Sequence, residues 1–519
     1  MRKRILTAIL LLSTIAAGCG GRETEVQENK ETVSFTSMEE EPDLSYEVPV
    51  STPGILVNQL GYMTESAKVA VFKGEEIPEE FHVIDVESKE VVYIGSPQEK
   101  ESGIGALANE SYGDFSSLKT PGIYYIEAPV LGRSYTFEIE DNIYEGIFRE
   151  SCKQYYYNRC GMTLTSQYAG ERSHNACHTG KAVFRENISE GCDVSGGWHQ
   201  DEKGQKDVVT AAKTMSVMML SYELYGQSFS DDVGIPESGN GVPDILDEVR
   251  YEAEWLLKMQ DQTTGAVYSG VTVYQQDGGN SGKDADVYIE QATDEAEKAF
   301  AMAMAKFSYL YQNYDAEYAT VCLKAADRAF KYAQLNEETE KDELGFAAAA
   351  ELYRAAGQEY CQRYVTEYLK TENLQEKRSE VTLMGGVTYI STKRSVNIDL
   401  CEKVMNMLMD GTEAILKESR SIVYAVDEKE SKDNNDRLLD VMYLAVMNHI
   451  IASQEYETMI EDYLHFFLGR NETAVCYIDG AGENDCNNTG YSPGIMIQFE
   501  ADSKLVFMLS EVMLSSTGQ

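Results

Sequence analysis

The chain has 519 residues, a formal net charge of −43, 43% hydrophobic side chains and ten cysteines. Nucleic acid and an anionic membrane face would both repel that charge, which excludes them as partners. The cysteines have no dense or regular spacing and make no disulfide scaffold, while the length allows two or more domains.

Arg2, Lys3 and Arg4 precede an apolar run from Ile5 to Ile15, followed by Ala16-Ala17-Gly18-Cys19. A basic start, a short apolar run and small residues make a secretory signal over residues 1–18, too short for a settled transmembrane helix. Small residues before a lone cysteine resemble a bacterial lipobox, although Ala16 stands where leucine is usual. The resemblance implies cleavage before Cys19 and lipid on its thiol; an ordinary secreted protein cut nearby is the other reading. Residues 19–52 are rich in Glu, Ser and Thr and cannot bury enough surface to offset ordering entropy. They are expected to be a flexible acidic linker that holds a folded body off the outer face of the plasma membrane.

From Ile55 the chain shows short runs rich in Val, Ile, Tyr and Phe: Lys68 to Phe72, Phe81 to Val86, Val91 to Gly95, Gly122 to Ile126 and Ser134 to Ile139. They alternate in polarity and are separated by turn residues such as Pro121-Gly122, which predicts a β-sandwich over residues 53–140. Nothing in it has the composition of a catalytic site, and a packing role is expected.

After Tyr144 the periodicity becomes helical. Asp247 to Gln260, Ala296 to Tyr311, Ala316 to Leu335, Leu344 to Ala356 and Leu438 to Ile451 carry apolar residues at three- and four-residue intervals. No strand alternation is visible between them, so residues 141–519 are expected to be an all-α domain of helical hairpins.

One stretch in this domain, Asp193-Val194-Ser195-Gly196-Gly197-Trp198-His199-Gln200-Asp201-Glu202-Lys203, has the makings of a sugar site. Small residues let the backbone approach a ligand, Trp198 offers a flat face to stack on, and carboxylates can move protons. A surface loop of solvated charge is the alternative.

Two fragments of the first domain, Val57-Asn58-Gln59-Leu60-Gly61-Tyr62 and Asp114-Phe115-Ser116-Ser117-Leu118, resemble the immunoglobulin-like module that precedes many family 9 glycoside hydrolases. Tyr157-Asn158-Arg159-Cys160-Gly161, Ala176-Cys177-His178, the Gly196-Gly197-Trp198-His199 stretch, Asn240-Gly241-Val242-Pro243-Asp244, Trp255-Leu256-Leu257-Lys258-Met259-Gln260 and Phe467-Leu468-Gly469-Arg470-Asn471 follow in the order of that family's catalytic domain. The resemblance runs from about Ile55 to Leu509. It implies an (α/α)6 barrel and, as partner, a β-linked oligo- or polysaccharide bound by a monomer.

Cys160, Cys177, His178 and His199 are two thiols and two imidazoles, a closed tetrahedral set for structural zinc. Family members with the immunoglobulin-like module carry zinc on these residue types at corresponding positions. A Cys160–Cys177 disulfide is the competing reading in an exported protein, and His174 is an alternate ligand. Clustered oxygens on Asn240, Asp244, Asp247 and Glu248 suit calcium, or else simply make an acidic first helical turn.

The resemblance also implies an inverting hydrolase, with a carboxylate base and a glutamic acid roughly 6.5–9.5 Å apart. Gln200 and Lys203 stand where the family has its two aspartates, and the nearest substitutes are Asp201 and Glu202. Met496 aligns with the family's acid; Glu500 and Asp502 are the nearest carboxylates, and Glu500 is the expected acid. Asn487 and Asn488 replace the usual histidine and arginine, and Tyr424-Ala425-Val426 replaces a tryptophan-glycine motif. Two readings follow: a hydrolase with a rearranged carboxylate pair, or a relative without turnover that binds sugar or scaffolds at the cell surface.

Overall fold

The computed structural model describes residues 52–99, 110–275, 285–335, 341–420, 422–426, 432–486 and 499–516. Cys19 with the signal and almost all of the linker lies outside them, as do Asn487, Asn488 and Met496.

The first domain is the expected immunoglobulin-like sandwich. Strands Ile55–Leu56, Val69–Lys73 and Glu110–Asp114 form one antiparallel sheet. Gly61–Tyr62, Phe137–Ile139, Gly122–Ala128, Phe81–Asp85 and Val91–Gly95 form the other. Period-two alternation turns Phe72, Phe81, Phe115, Ile126 and Phe137 inward around Tyr62. The Tyr62 ring meets Phe115 and Phe137 edge-on at 5.4 and 5.5 Å. The strand Glu110–Asp114 has little apolar content and was invisible in the sequence; pairing with Val69–Lys73 recruits it.

The second domain is the (α/α)6 barrel. Its hairpins, in chain order, are α1 (Glu145–Tyr157) with α2 (Val208–Tyr225), α3 (Asp244–Lys258) with α4 (Asp294–Tyr311), and α5 (Ala316–Ala333) with α6 (Glu343–Ala356). Then come α7 (Glu359–Thr371) with α8 (Glu380–Ser391), α9 (Ile398–Ser419) with α10 (Asn434–Ile450), and α11 (Gln454–Phe467) with α12 (Phe499–Ser516). The even-numbered helices close the inner ring, each touching the next and α12 touching α2. Sequence explains the division of labour. Nearly every face of α2 and α8 is apolar and buried, whereas α3, α5 and α7 keep one polar face for solvent.

The inner helices begin at one mouth. Asp207, Thr293, Asp342, Ser379 and Asp433 each cap one of them by accepting from the third helical amide. Their first turns are tied across the opening: Lys213 to Glu380 at 3.3 Å, Lys298 to Asp342 at 2.6 Å, and Lys504 to Asn435 at 2.6 Å.

One expectation is corrected. The helical domain also contains a five-stranded sheet, built from Ala182–Phe184, Asn187–Cys192, Lys206–Asp207, Gly270–Gln275 and Ala285–Ile289. These strands are two to six residues long; Gly270–Gln275 and Ala285–Ile289 pair antiparallel and alternate locally, with Val271 and Val273 turned inward, while the three others are recruited from separate segments. The strands Lys206–Asp207 and Ala285–Ile289 lead into α2 and α4, which places the sheet at the mouth.

The sandwich packs Leu56 and Val71 against Val423, Tyr424 and Ala474 of the barrel domain. Tyr424 is buried there and donates its hydroxyl to Glu110 Oε1 at 3.1 Å. Ala425 keeps a left-handed backbone (φ 64°) where the resembling motif has glycine, a strain of about 1 kcal/mol.

Candidate active site

The glycine-rich stretch and the end of α1 form a short antiparallel ladder. The Cys160 amide donates to the Gly197 carbonyl at 2.7 Å, the His199 amide donates to the Asn158 carbonyl at 2.8 Å, and Arg159 sits opposite Trp198. Gly197 (φ 72°) is required: a Cβ there would lie 2.7 Å from Cγ of Trp255. The ladder brings Cys160 and His199 together. The loop after the turn Ser166–Ala169 delivers Cys177 and His178.

The ligand atoms of Cys160, Cys177, His178 and His199 all lie within 4.8 Å of one another. Cys177 Sγ is 3.4 Å from His199 Nε2, and Cys160 Sγ is 3.7 Å from His178 Nδ1. Both cysteines are free thiols, not a disulfide. The hydrogen bond from Cys160, with the Gly161 amide and the Lys206 ammonium, overcomes burial and holds the Cys177 thiol down at about 6. Lys206 Nζ stands 3.6 Å from Cys160 Sγ. Two thiols and two imidazoles converging beside a fixed cation fit zinc in a closed, structural site. His174 stands apart, its ring bonded to the Asn175 carbonyl at 2.8 Å.

Trp198 does not take the role expected of it. Its side chain has no solvent exposure, packs on Tyr155 and Phe499, and donates its indole N–H to Glu248 Oε2 at 3.3 Å. It forms the floor beneath the site and offers no face to a sugar.

The loop that follows closes on itself. Gln200 Nε2 donates to the Asp207 carbonyl at 2.8 Å, and the Asp207 amide donates back to Gln200 Oε1 at 2.7 Å. Asp201 Oδ1 accepts from the amides of Lys203 and Gln205, both at 2.9 Å, and Oδ2 accepts from Gln205 Nε2 at 2.6 Å. Burial works to raise this carboxyl, but the Gln205, Lys203 and Gly204 donors hold it below its ordinary value. Asp201 is therefore the staple of the turn. Gly204 (φ 84°) seats the loop on His178, where a Cβ would lie 2.5 Å from the ring.

Beside this loop is a cleft of about 420 Å³, lined by Gln154, Tyr157, Asn158, Arg172, His199, Gln200, Asp201, Glu202, Asp479 and Phe499. Asp201 and Glu202 thus reach it as expected. Glu202 is exposed and makes no hydrogen bond or ion pair to a described residue. Asp479 was not among the candidates that the sequence offered; the fold brings it to the cleft. Glu500 lies in the first turn of α12, next to Phe499, where its charge raises the Lys213 ammonium. It is not among the residues lining this cleft. Asp502 is buried, and burial pushes its carboxyl well above the ordinary range.

A second acidic group combines Asp231, Asp244 and Asp247, whose oxygens also lie within 4.8 Å of one another. Asp244 Oδ2 accepts from the Val233 amide and Ser238 Oγ at 2.6 and 2.7 Å, while its buried Oδ1 has no partner. Burial, with the charges of Glu237 and Asp244, pushes Asp247 up to about 6. Two buried carboxyls and the half-buried Asp231, converging on one point, fit a calcium ion. Two of the expected ligands are corrected. Asn240 turns its Nδ2 toward Asp247 at 3.1 Å and its Oδ1 to the Val242 amide, and Glu248 points inward to Arg159 at 2.9 Å.

Comparison with known proteins agrees with this architecture. Residues 144–493 match the model of glycosyl hydrolase family 9, and residues 50–133 match the cellulase N-terminal ig-like domain. A xyloglucan-specific endo-β-1,4-glucanase of Bacteroides ovatus is 26% identical over 83% of this chain and 81% of its own length. A cellodextrinase of Butyrivibrio fibrisolvens is 28% identical over 85% of this chain and 87% of its own. Among solved structures, a metagenome-derived family 9 endoglucanase superposes with a TM-score of 0.78 at 23% identity, covering 88% of this chain and 98% of that one. A zinc-binding triple mutant of another family 9 endoglucanase gives 0.76 at 21%, covering 87% and 99%.

Proposed function

This chain belongs to glycosyl hydrolase family 9, and on that premise we propose that it hydrolyses a β-1,4-linked glycan, with inversion, in the cleft beside residues 200–207. The observation that carries the reading is the cleft's content: Glu202 and Asp479 line one space with Tyr157 and Phe499, carboxyls beside aromatic faces. Glu202 is assigned as the base that activates water, because Asp201 is occupied by its own turn. Asp479 is assigned as the acid that protonates the leaving oxygen, ahead of Glu500, because Asp479 lines the cleft. The test is a panel of β-glucans, xyloglucan among them, scored for released reducing ends with the protein from Thr52 onward.

The second reading, glycan binding without turnover, is favoured by Gln200 and Lys203. They stand at the family's two carboxylate positions, and Gln200 is clamped to the Asp207 backbone. Binding of oligosaccharide with no released reducing ends on any member of the panel would select it.

Zinc held by Cys160, Cys177, His178 and His199 would supply cross-linking and charge, with no open position for chemistry. Calcium held by Asp231, Asp244 and Asp247 would neutralise a buried acidic cluster. Purified protein should carry about one zinc per chain. Chelation, or Cys177→Ala, should lower the melting temperature while leaving oligosaccharide affinity within about twofold, because Cys177 does not line the cleft. Metal analysis without zinc would remove the assignment.

For location, we propose a lipid anchor on Cys19 at the bacterial cell surface. Among the described residues no helix is long and apolar enough to cross a membrane. Labelled fatty acid should enter the wild-type protein and not Cys19→Ala; equal labelling would rule the anchor out.

A further inference from the structure

The sandwich is tied to a loop of the cleft by the buried side chain of Gln59. Gln59 follows the first strand and is almost fully buried, at 6% exposure, yet its amide makes no bond within its own domain. Its Nε2 donates to the Ala474 carbonyl at 2.6 Å, and its Oε1 accepts from the Asn484 amide at 2.8 Å. Its backbone amide donates to the Leu468 carbonyl at 2.8 Å. The two side-chain contacts fall on both legs of one loop, residues 474–486, which carries Asp479 into the cleft.

The loop is built around this side chain. Gly469 (φ 108°) and Gly482 leave room for it: a Cβ at Gly469 would stand 2.3 Å from Gln59 Nε2, and one at Gly482 would stand 2.9 Å from Gln59 Oε1. Ala474, whose carbonyl takes the Gln59 hydrogen bond, holds a left-handed backbone (φ 56°) that alanine does not favour on its own. Among the described residues the two legs also pair directly, through the Cys476 amide to the Asn484 carbonyl at 2.9 Å, the Cys486 amide to the Cys476 carbonyl at 3.0 Å, and Asn484 Nδ2 to the Ala474 carbonyl at 2.8 Å, an acceptor shared with Gln59. A second tie from the sandwich, the Thr136 amide donating to Glu483 Oε1 at 3.0 Å, lies at the exposed rim. Water can compete for that contact, whereas it cannot replace the buried Gln59 amide.

We propose that Gln59 is a positioning residue for the cleft: it cross-links the legs of the 474–486 loop so that Asp479 is presented to the space lined by Glu202. The part of this that concerns turnover rests on the assignment of Asp479 as the acid. The sandwich is then one wall of the site's support, acting on the chemistry without touching substrate.

The test uses the full chain with Gln59→Ala, Gln59→Met, Asp479→Asn and the double variant Gln59→Ala/Asp479→Asn. Gln59→Met fills nearly the same space without either amide hydrogen bond, so it keeps the packing should the alanine variant fold poorly. Losing a buried hydrogen bond of ordinary net strength should speed amide exchange across residues 474–486 by about tenfold, with α6 unchanged. The turnover number should fall by about as much with KM little altered, and Gln59→Ala should add nothing in the Asp479→Asn background. Unchanged exchange in the loop, exchange accelerated equally in α6, or additive losses in the double variant would overturn the proposal. Faster loop exchange together with a fully active Asp479→Asn would uphold Gln59 as the loop's anchor and remove Asp479 as the acid.

Discussion

Glu202→Gln and Asp479→Asn should each slow hydrolysis of a β-1,4-glucan by about 10²–10⁴-fold, the usual cost of losing a general base or acid. Asp201→Asn and Glu500→Gln should stay within about tenfold of wild type on the same scale. The division follows from what each carboxylate already does. Both Asp201 oxygens are held by donors of its own turn, and Asn retains one acceptor for the Lys203 and Gln205 amides. A carboxylate kept below its ordinary pKa by such donors is a poor proton acceptor. Glu202 sits one residue further along, exposed and lining the cleft, with its oxygens available. Glu500 lies in the first turn of α12 and is not among the residues lining the cleft. Initial rates for the four variants, with oligosaccharide affinity measured in parallel, decide the matter. A near-dead Glu500→Gln beside a silent Asp479→Asn would transfer the acid to Glu500. Four silent variants would remove this cleft as the catalytic centre.

Arg159→Met should destabilise the protein by about 3–5 kcal/mol, whereas Arg159→Met combined with Glu248→Leu should recover most of that loss. Arg159 has no exposed surface. Its guanidinium donates to Glu248 Oε2 from Nε at 3.1 Å, sets Nη2 in ion-pair contact 2.9 Å from Glu248 Oε1, donates to Glu237 Oε1 from Nη1 at 2.9 Å, and lies 4.5 Å from the centre of the Tyr251 ring. Burial works against its charge, and the two carboxylates more than restore it, raising its pKa further. For Glu248 burial wins over the guanidinium, pushing its carboxyl up to about 7. Removing the arginine leaves that carboxyl in the core with only the Trp198 indole as donor. Removing both groups leaves an apolar contact instead, and Glu237, partly exposed, keeps its water. Denaturant titrations of wild type, each single variant and the pair measure the coupling. A double variant as unstable as Arg159→Met alone would show that the arginine acts through shape and not through its ion pair. Because Arg159 lies between Asn158 and Cys160 in the ladder, its loss should also weaken zinc retention.

Much of this protein was determined by local sequence. Period-two runs marked most of the sandwich strands, and three- and four-residue apolar spacing marked α3, α4, α5, α6 and α10 nearly to their ends, since each buries one continuous stripe or surface. The sequence also pointed to Cys160, Cys177, His178 and His199 as one group, and the fold brings their side chains within 4.8 Å of one another. Tertiary structure decided the rest. The sheet at the barrel mouth joins strands from segments as far apart as Ala182–Phe184 and Ala285–Ile289, and a three-residue strand such as Ala182–Phe184 is too short to show a period of its own. Trp198 reads as a sugar platform by composition, yet the ladder with Arg159 turns its indole into the core toward Glu248. Asp201 and Glu202 are equivalent on paper; the turn that consumes one and leaves the other free exists only once Gln205 folds back. Asp479 reaches the cleft through a loop anchored by Gln59, 415 residues before Ala474. A contact across that separation is set by how two domains pack, and no local pattern of residues encodes it.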